Sequence, residues 1–176
     1  MKTAIVHHSI YQKHETGPGH PETPERYRTV IEALKNDEPL WNSITEITPE
    51  KAAQGVVQAA HTKEHFKRVE NAVANGLDRL DSDTVISMAS FDAALYAAGG
   101  AITAVDAIMQ GEADNAFVAA RPPGHHATAE HAMGFCLFNN IAGAARIARA
   151  RCGVQRVAII DFDVHHGNGT QDSFYD

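Results

Sequence analysis

A stretch of ten residues, IDFDVHHGNG at 160–169, limits most strictly what this chain can fold into. It continues the apolar run VAII at 157–160, and such a run predicts a buried strand. Because alternate strand residues share a face, Asp161, Asp163 and His165 are expected together at the carboxyl end of that strand. Ligands bind at that end of open α/β sheets. The stretch therefore predicts a ligand site built on a sheet.

The residue types in this stretch favour a divalent metal as the ligand. Acidic groups are costly to bury unless a metal or partner neutralises them, and a carboxylate two residues from an imidazole suits zinc. We predict Asp163 and His165 as zinc ligands, with a buried salt bridge between them as the alternative. His166 points to the opposite face and is expected to be structural. Gly167 and Gly169 permit the backbone to approach a ligand closely.

Strands and helices alternate along the rest of the chain. The apolar patterns predict strands at 3–7, 41–47, 115–120 and 157–161, and helices at 26–35, 63–75, 90–110 and 139–150. Alternation of this kind predicts an α/β fold with a parallel sheet covered by helices on both faces. Three chemically rich segments, 121–126, 134–136 and 161–169, then fall together at the strand ends, which indicates a catalytic site.

A pair of adjacent histidines, His125 and His126, follows the rigid segment Pro-Pro-Gly. Both rings can reach one site only if the backbone is irregular there. Two imidazoles beside a metal can act as general base and general acid, and each needs a partner on its second nitrogen. Asp161 and Asn168 are available for that, although Asn168 could instead only cap a turn. The alternative is a pair of structural histidines bonded to backbone carbonyls.

Two further segments are weaker candidates. Gly134 and Phe135 could line a substrate pocket, but an aromatic residue after glycine is more often a core residue. Cys136 is expected to be a small buried apolar side chain rather than a nucleophile. Asp81 and Asp83 lie in an acidic loop and, taken alone, would be solvated charges.

Composition excludes several classes of function. The net charge is −7 and no lysine or arginine cluster appears, so direct nucleic-acid binding is not expected. No uninterrupted apolar run approaches eighteen residues, and the first residues lack a signal-peptide pattern, so neither a membrane span nor secretion is expected. The two cysteines form no disulfide framework, which favours a cytoplasmic protein.

Three motifs together resemble the histone deacetylase superfamily. Their exact residues resemble its class II and bacterial amidohydrolase branch. They are RPPGHHA at 121–127, GFCLFNN at 134–140 and DFDVHHGNGTQ at 161–171, supported by GHPETPER at 19–26 and LDSDTVIS at 80–87. The resemblance runs from about residue 5 to the end. It implies an arginase-like α/β fold and zinc-dependent hydrolysis of an N-acetyl amide, either acetyl-lysine in a peptide or an acetylated polyamine.

The resemblance also implies roles for the site residues. Asp163 and His165 correspond to zinc ligands, and His125 and His126 to the tandem histidines that act on the attacking water and the leaving amine. Asp161 corresponds to the carboxylate behind the first histidine. With the backbone of Asp163 and His165, it also corresponds to a structural potassium site.

Further roles follow from the same resemblance. Asn168 stands where class II relatives carry asparagine and class I relatives a second carboxylate. Gly134 and Phe135 correspond to one wall of the acyl-lysine tunnel, and Asp83 to a carboxylate at its rim that holds the substrate backbone.

The chain is about half as long as the domain that it resembles. The family's third zinc ligand, its carbonyl-polarising residue and its remaining strands lie further along, so residues 1–176 are expected to be the N-terminal part of one domain. Three alternatives stay open. One is a non-catalytic fragment that binds a partner through its uncovered sheet edge, while in a homo-oligomer a second copy could supply the missing metal ligand. Another is an acetylpolyamine amidohydrolase. The third is a two-manganese ureohydrolase, which would need more carboxylates and would leave RPPGHH without a role.

Overall fold

The computed structural model describes residues 1–175, and its centre is a parallel sheet of three strands in the order β2-β1-β3. The strands are β1 (Thr3–His7), β2 (Ile44–Ile47) and β3 (Asn115–Ala119). In the register of the sheet, Ile5 of β1 lies opposite Glu46 and Phe117. Parallel pairing requires crossover connections, and helices supply them. The predicted α/β class is confirmed.

The four predicted helices are present, and four shorter helices that were not predicted accompany them. The described residues contain a short 3₁₀-helix (Ser9–Lys13) and the helices α1 (Pro24–Asn36), α2 (Glu38–Trp41), α3 (Gln54–Val57), α4 (Lys63–Ala74), α5 (Ser90–Met109), α6 (Asn140–Arg151) and α7 (Asn168–Phe174). Local signals set several of the ends. Thr62 Oγ1 accepts a hydrogen bond from the His65 amide at the start of α4, and Gly76 adopts a φ of +69° after its end.

The core is built around α5. One apolar cluster joins this helix to α4 and α6 through Phe66 and Phe138, and a second joins it to the sheet and α1 through Ile5 and Tyr11. Close packing needs glycine within α5, because a Cβ on Gly99 would collide with the carbonyl oxygen of residue 50. Within residues 1–175, α5 alone has the length and apolar composition of a membrane-spanning helix. Its place in the core accounts for that composition.

Two predicted strands differ from the structure. Residues 38–41 form α2, so β2 begins only at Ile44. The predicted buried strand 157–161 is wrong, because the segment pairs with no strand of the described part of the chain and is largely exposed. Ile160, for example, is 84% exposed. A strand is defined by its hydrogen-bonded neighbour, and the sheet stops at β3 before it reaches this segment.

Candidate metal and acid–base site

The site lies where two irregular segments meet beyond the end of β3. Residues 120–127 leave the strand in turns and bends rather than in regular structure, as the tandem histidines require. The Thr170 amide donates to the His125 carbonyl (3.1 Å), and the Asn139 side-chain amide donates to the Ala127 carbonyl (3.2 Å). Hydrogen bonds to the carbonyl oxygens of the histidine segment therefore hold it against segments from two other places in the sequence.

His125 is held by a carboxylate. Its Nδ1 lies 2.8 Å from Oδ2 of Asp161, so Nδ1–H donates to the carboxylate and Nε2 takes no part in this bond. The hydrogen bond from His125 is the main reason that the pKa of Asp161 lies below its usual value, and the Asp163 amide helps by donating to Oδ1 at 3.1 Å. Asp161 therefore stays ionised and can neutralise a proton taken up by His125.

His126 is held by a neutral amide. Its Nδ1 lies 2.7 Å from Oδ1 of Asn168, the first residue of α7. The Asn168 Nδ2 faces the Met133 sulfur (3.2 Å), which leaves the oxygen to accept from the imidazole. The two histidine rings lie 4.1 Å apart between centroids. Both histidines thus have the side-chain partners predicted for them, and the alternative of two histidines bonded to backbone carbonyls is not what the structure shows.

Asp163 and His165 are in contact with each other beside the tandem histidines. Asp163 Oδ1 accepts from the His165 amide (2.8 Å) and lies 3.0 Å from its Nδ1. The backbone hydrogen bond from His165 is the main cause that lowers the pKa of the Asp163 carboxyl. The Asp163 and His165 side chains are 50% and 72% exposed, so they do not form the buried salt bridge that was the alternative.

These two donors fit part of a zinc site. Two ligands of tetrahedral zinc, each about 2.0–2.1 Å from the metal, lie roughly 3.3 Å apart, close to the 3.0 Å between Asp163 Oδ1 and His165 Nδ1. The ring of His165 also lies 6.1 Å from that of His126. Residues 1–175 contain no group of three His, Cys, Asp or Glu side chains placed to hold one metal. Catalytic zinc usually has three protein ligands, so a zinc ion at Asp163 and His165 would need at least one further ligand.

Gly134 lies against the ring of His126, and Phe135 follows it in the chain. Gly134 has a φ of +54°, and a Cβ there would overlap the ring of His126. Phe135 also has a positive φ, 69°, and its amide donates to Thr84 Oγ1 at 3.2 Å. Its ring meets that of His20 edge-on at 4.6 Å and is only partly buried, so it is not a core residue. The role of Gly134 and Phe135 as a pocket wall stays a prediction.

Asp83 and Cys136 occupy contrasting environments. Asp83 is exposed, and its carbonyl oxygen lies 3.3 Å from Nε2 of His20, whose ring contacts that of Phe135. Its rim role stays a prediction, as does the potassium site at Asp161. Burial raises the pKa of the Cys136 thiol to about 12, as expected of an inert side chain.

A buried ion pair that the sequence reasoning missed supports the histidine segment. Arg121, directly before the Pro-Pro-Gly turn, forms a two-point ion pair with Glu22, and both side chains are at most 5% exposed. The same guanidinium donates to the carbonyl oxygens of Tyr11 and His14. Burial, and then Arg121, lower the pKa of His14 to about 3, so this histidine is neutral. The motifs RPPGHH and HPETPER hold both charged residues, but neither motif shows that they pair.

His61 is a second buried support that was missed. Its Nε2 accepts a hydrogen bond from the Asn139 amide (2.7 Å), at the start of α6. Burial, with a further contribution from the nearby His65, lowers the pKa of His61 to about 4. A neutral imidazole is therefore part of the frame that positions Asn139, which in turn binds the carbonyl of Ala127.

Comparisons with known proteins agree with this geometry. The histone deacetylase domain profile matches residues 20–176. A probable deacetylase of Archaeoglobus fulgidus is 42% identical over 99% of this chain and 48% of its own length. A histone deacetylase-like amidohydrolase of Pseudomonas aeruginosa is 43% identical over 89% of this chain and 41% of its own length. The crystal structure of the HDA15 HD domain superposes with a TM-score of 0.92 at 37% identity, over 98% of this chain and 50% of that one. The chain thus spans about half the length of the relatives that it matches.

Proposed function

Since this chain belongs to the histone deacetylase family, we propose that it contributes the metal-binding and acid–base half of a zinc-dependent N-acetyl amide hydrolase. The observation that carries the proposal is the pair of imidazoles, His125 on Asp161 and His126 on Asn168, beside the donors Asp163 and His165. A role in hydrolysis explains why the two histidines have different partners. It also gives RPPGHH a purpose that the two-manganese alternative lacked.

Asp163 and His165 would hold the zinc, which when bound polarises the acetyl carbonyl and lowers the pKa of an attacking water. His126, with Nδ1 bonded to Asn168, has a free Nε2 lone pair and takes the proton from the water. His125, whose positive charge Asp161 neutralises, gives its proton to the nitrogen of the leaving amine. The water oxygen forms a C–O bond to the acetyl carbon, and the C–N bond then breaks. The amine leaves with the proton from His125, the acetyl group leaves as the acid, and the proton that His126 took from the water recharges the histidine pair.

The proposed substrate is an acetylated amine on a narrow apolar chain, either acetyl-lysine in a peptide or an acetylated polyamine. Gly134, which packs against the His126 ring, and the neighbouring Phe135 would form the apolar wall that such a chain follows. Asp83 at the exposed rim would bind the substrate backbone, and the net charge of −7 suits a cationic molecule. We further propose a structural potassium ion at Asp161 and a cytoplasmic location, in keeping with the two free cysteines.

A non-catalytic role has one observation in its favour, the set of only two metal donors within residues 1–175. A zinc titration by calorimetry on this chain separates the two functions. We expect one-to-one binding that Asp163→Ala and His165→Ala abolish, and that the exposed-histidine control His131→Ala leaves unchanged. Binding that is absent, or that does not respond to these two variants, would overturn the zinc site.

Hydrolysis of an acetyl-lysine peptide and of an acetylpolyamine is then assayed. His126→Ala is expected to retain zinc and lose turnover, and turnover retained in this variant would refute the base role of His126.

A further inference from the structure

Phe135 occupies a backbone conformation that its residue type disfavours. Two hydrogen bonds between the backbones of Met133 and Cys136, of 3.1 and 2.9 Å, close a tight turn. Gly134 and Phe135 are the two central residues of this turn, with φ values of +54° and +69°. Turns of this kind prefer glycine, asparagine or aspartate at these positions, and Phe135 is the one non-glycine residue with a positive φ within residues 1–175. Such a conformation persists only where surrounding contacts hold it.

Thr84 makes a polar contact that can hold this conformation. The Phe135 amide donates to Thr84 Oγ1 at 3.2 Å, across 51 positions of sequence, and Thr84 is fully buried. A hydroxyl group has a single proton, and that of Thr84 donates to Asp83 Oδ1 at 3.3 Å. The oxygen therefore keeps its lone pairs for the Phe135 amide. One hydroxyl group thus joins the carboxylate of Asp83 to the backbone of Phe135.

The loop that carries Thr84 is fixed by its own contacts. Asp81 Oδ1 accepts from the amides of Asp83 (3.1 Å) and Thr84 (2.7 Å), and the Leu80 amide donates to the Thr84 carbonyl at 2.9 Å. These bonds lie within the segment LDSDT at 80–84. The position of the Thr84 hydroxyl is therefore set independently of Phe135, so the hydroxyl can act as a fixed support for that residue.

His20 contacts the same residues from another loop. A carbonyl oxygen only accepts, so Nε2 of His20 carries the proton where it faces the Asp83 carbonyl at 3.3 Å. The Nδ1 atom then accepts from the Glu22 amide at 3.1 Å. The His20 ring meets the Phe135 ring edge-on, with 4.6 Å between centroids. His20, Asp83, Thr84 and Phe135 therefore form a closed ring of contacts, in which Thr84 is the fully buried member.

We propose that Thr84 is a positioning residue for substrate recognition, whose hydroxyl group holds Phe135 in its left-handed conformation and links it to the carboxylate of Asp83. A ring that is already held in place needs no further ordering when a ligand binds beside it, which favours binding. A ligand that engages Asp83 thus meets Phe135 in a fixed position. The part in substrate recognition rests on the proposed function, whereas the positioning of Phe135 does not.

Two substitutions of Thr84 separate positioning by the hydroxyl group from simple packing. Thr84→Val keeps the shape and removes the hydroxyl group, whereas Thr84→Ser keeps the hydroxyl group and removes the methyl group. Hydrogen exchange of the Phe135 amide is followed by NMR in the 176-residue chain. We expect exchange at least about tenfold faster in Thr84→Val and nearly native exchange in Thr84→Ser. The reverse order would show that the methyl group supports Phe135, and would overturn the proposal.

Two controls distinguish a local effect from a general loss of stability. Thr103→Val, at a partly buried threonine of α5, should leave exchange of the Phe135 amide unchanged. Exchange of the amide of Val69, a fully buried residue of α4, reports wider opening of the chain and should stay native in Thr84→Val. Equal acceleration at Val69 and Phe135 would overturn the proposal, because the hydroxyl group would then stabilise the whole chain rather than position one residue.

Ligand binding tests the part in recognition. The probes, titrated into the 176-residue chain with zinc present, are an acetyl-lysine peptide and N-acetylbutylamine, which has the acylated chain without a peptide backbone. We expect Thr84→Val to weaken both at least about fivefold, Thr84→Ser to weaken neither, and Asp83→Asn to weaken only the peptide. Native affinity of Thr84→Val for both probes would refute the part in recognition. A native chain that binds neither probe would refute the proposed substrate class, and exchange of the Phe135 amide then decides the positioning by itself.

Discussion

His125 and Asp161 lie 36 positions apart in the chain and meet through a 2.8 Å hydrogen bond between Nδ1 and Oδ2. The contact depends on Gly167, because a Cβ at that position would collide with the same carboxylate oxygen. The glycine of the HHGNG motif thus has a defined purpose, which is to let the carboxylate reach the first histidine. The carboxylate in turn decides which ring nitrogen carries the proton.

Replacing Asp161 by asparagine should remove that control over the proton. A carboxylate can only accept, so it enforces Nδ1–H on His125, whereas an amide can also donate and so permits the other tautomer. We expect two-bond ¹H–¹⁵N NMR spectra at pH 8 to show one His125 tautomer in the native chain and a mixture in Asp161→Asn. The His126 signals, which depend on Asn168, serve as the internal control. A single Nδ1–H tautomer in the variant would contradict this assignment.

Gly134 should tolerate alanine less well than other glycines of similar conformation. A positive φ costs a residue with a Cβ about 1 kcal/mol wherever it occurs. Gly76, with a φ of +69° and open space around it, measures that cost alone, while Gly134 adds an overlap with the His126 ring. We expect urea unfolding to give a loss of about 1 kcal/mol for Gly76→Ala and a clearly larger loss for Gly134→Ala. Equal losses would show that the His126 ring moves aside freely.

The sequence predicts the acid–base residues of the site better than the buried contacts that support them. Asp161 and Asn168 are predicted as partners because each imidazole needs one on its second nitrogen, and the geometry agrees. The Glu22–Arg121 pair is not predictable in the same way, because 99 positions separate its members and charged residues are normally exposed. Only the folded chain shows that both are buried.

The prediction for residues 157–161 was wrong for a different reason. An apolar run gives the propensity for a strand, but strand formation needs a neighbour to supply hydrogen bonds and cover the side chains. Within residues 1–175 the sheet ends at β3, so Val157 and Ile160 remain outside it. A pattern in one segment carries no information about whether its pairing partner is present.

The ion pair between Arg121 and Glu22 should matter far more than surface pairs. Glu22→Gln leaves a buried guanidinium uncompensated, which costs about 3–5 kcal/mol in comparable pairs. Glu70→Gln removes a pair with Lys67 on the exposed face of α4, and such pairs contribute about 0.5 kcal/mol or less. Denaturant unfolding of both variants, under the same conditions, measures the difference. A loss below about 1 kcal/mol for Glu22→Gln would show that the buried pair adds little to stability.

Stability should fall as the pH drops from 6.5 to about 4, because His61 is buried in its neutral form. Its pKa is about 4 in the folded chain and near 6.5 when unfolded. Between these values the unfolded chain binds a proton that the folded chain does not, so the free energy of unfolding decreases with falling pH. The two values correspond to about 3 kcal/mol at full effect. His14, with a folded pKa of about 3, adds to the same trend.

Urea unfolding at pH 7 and pH 4.5 measures this dependence. The free energy of unfolding should vary less with pH in His61→Gln than in the native chain, and the glutamine oxygen can still accept a hydrogen bond from the Asn139 backbone amide. His131→Gln, at an exposed histidine, is the matched control and should retain the native dependence. An unchanged dependence in His61→Gln would show that protonation of this histidine does not limit stability in acid.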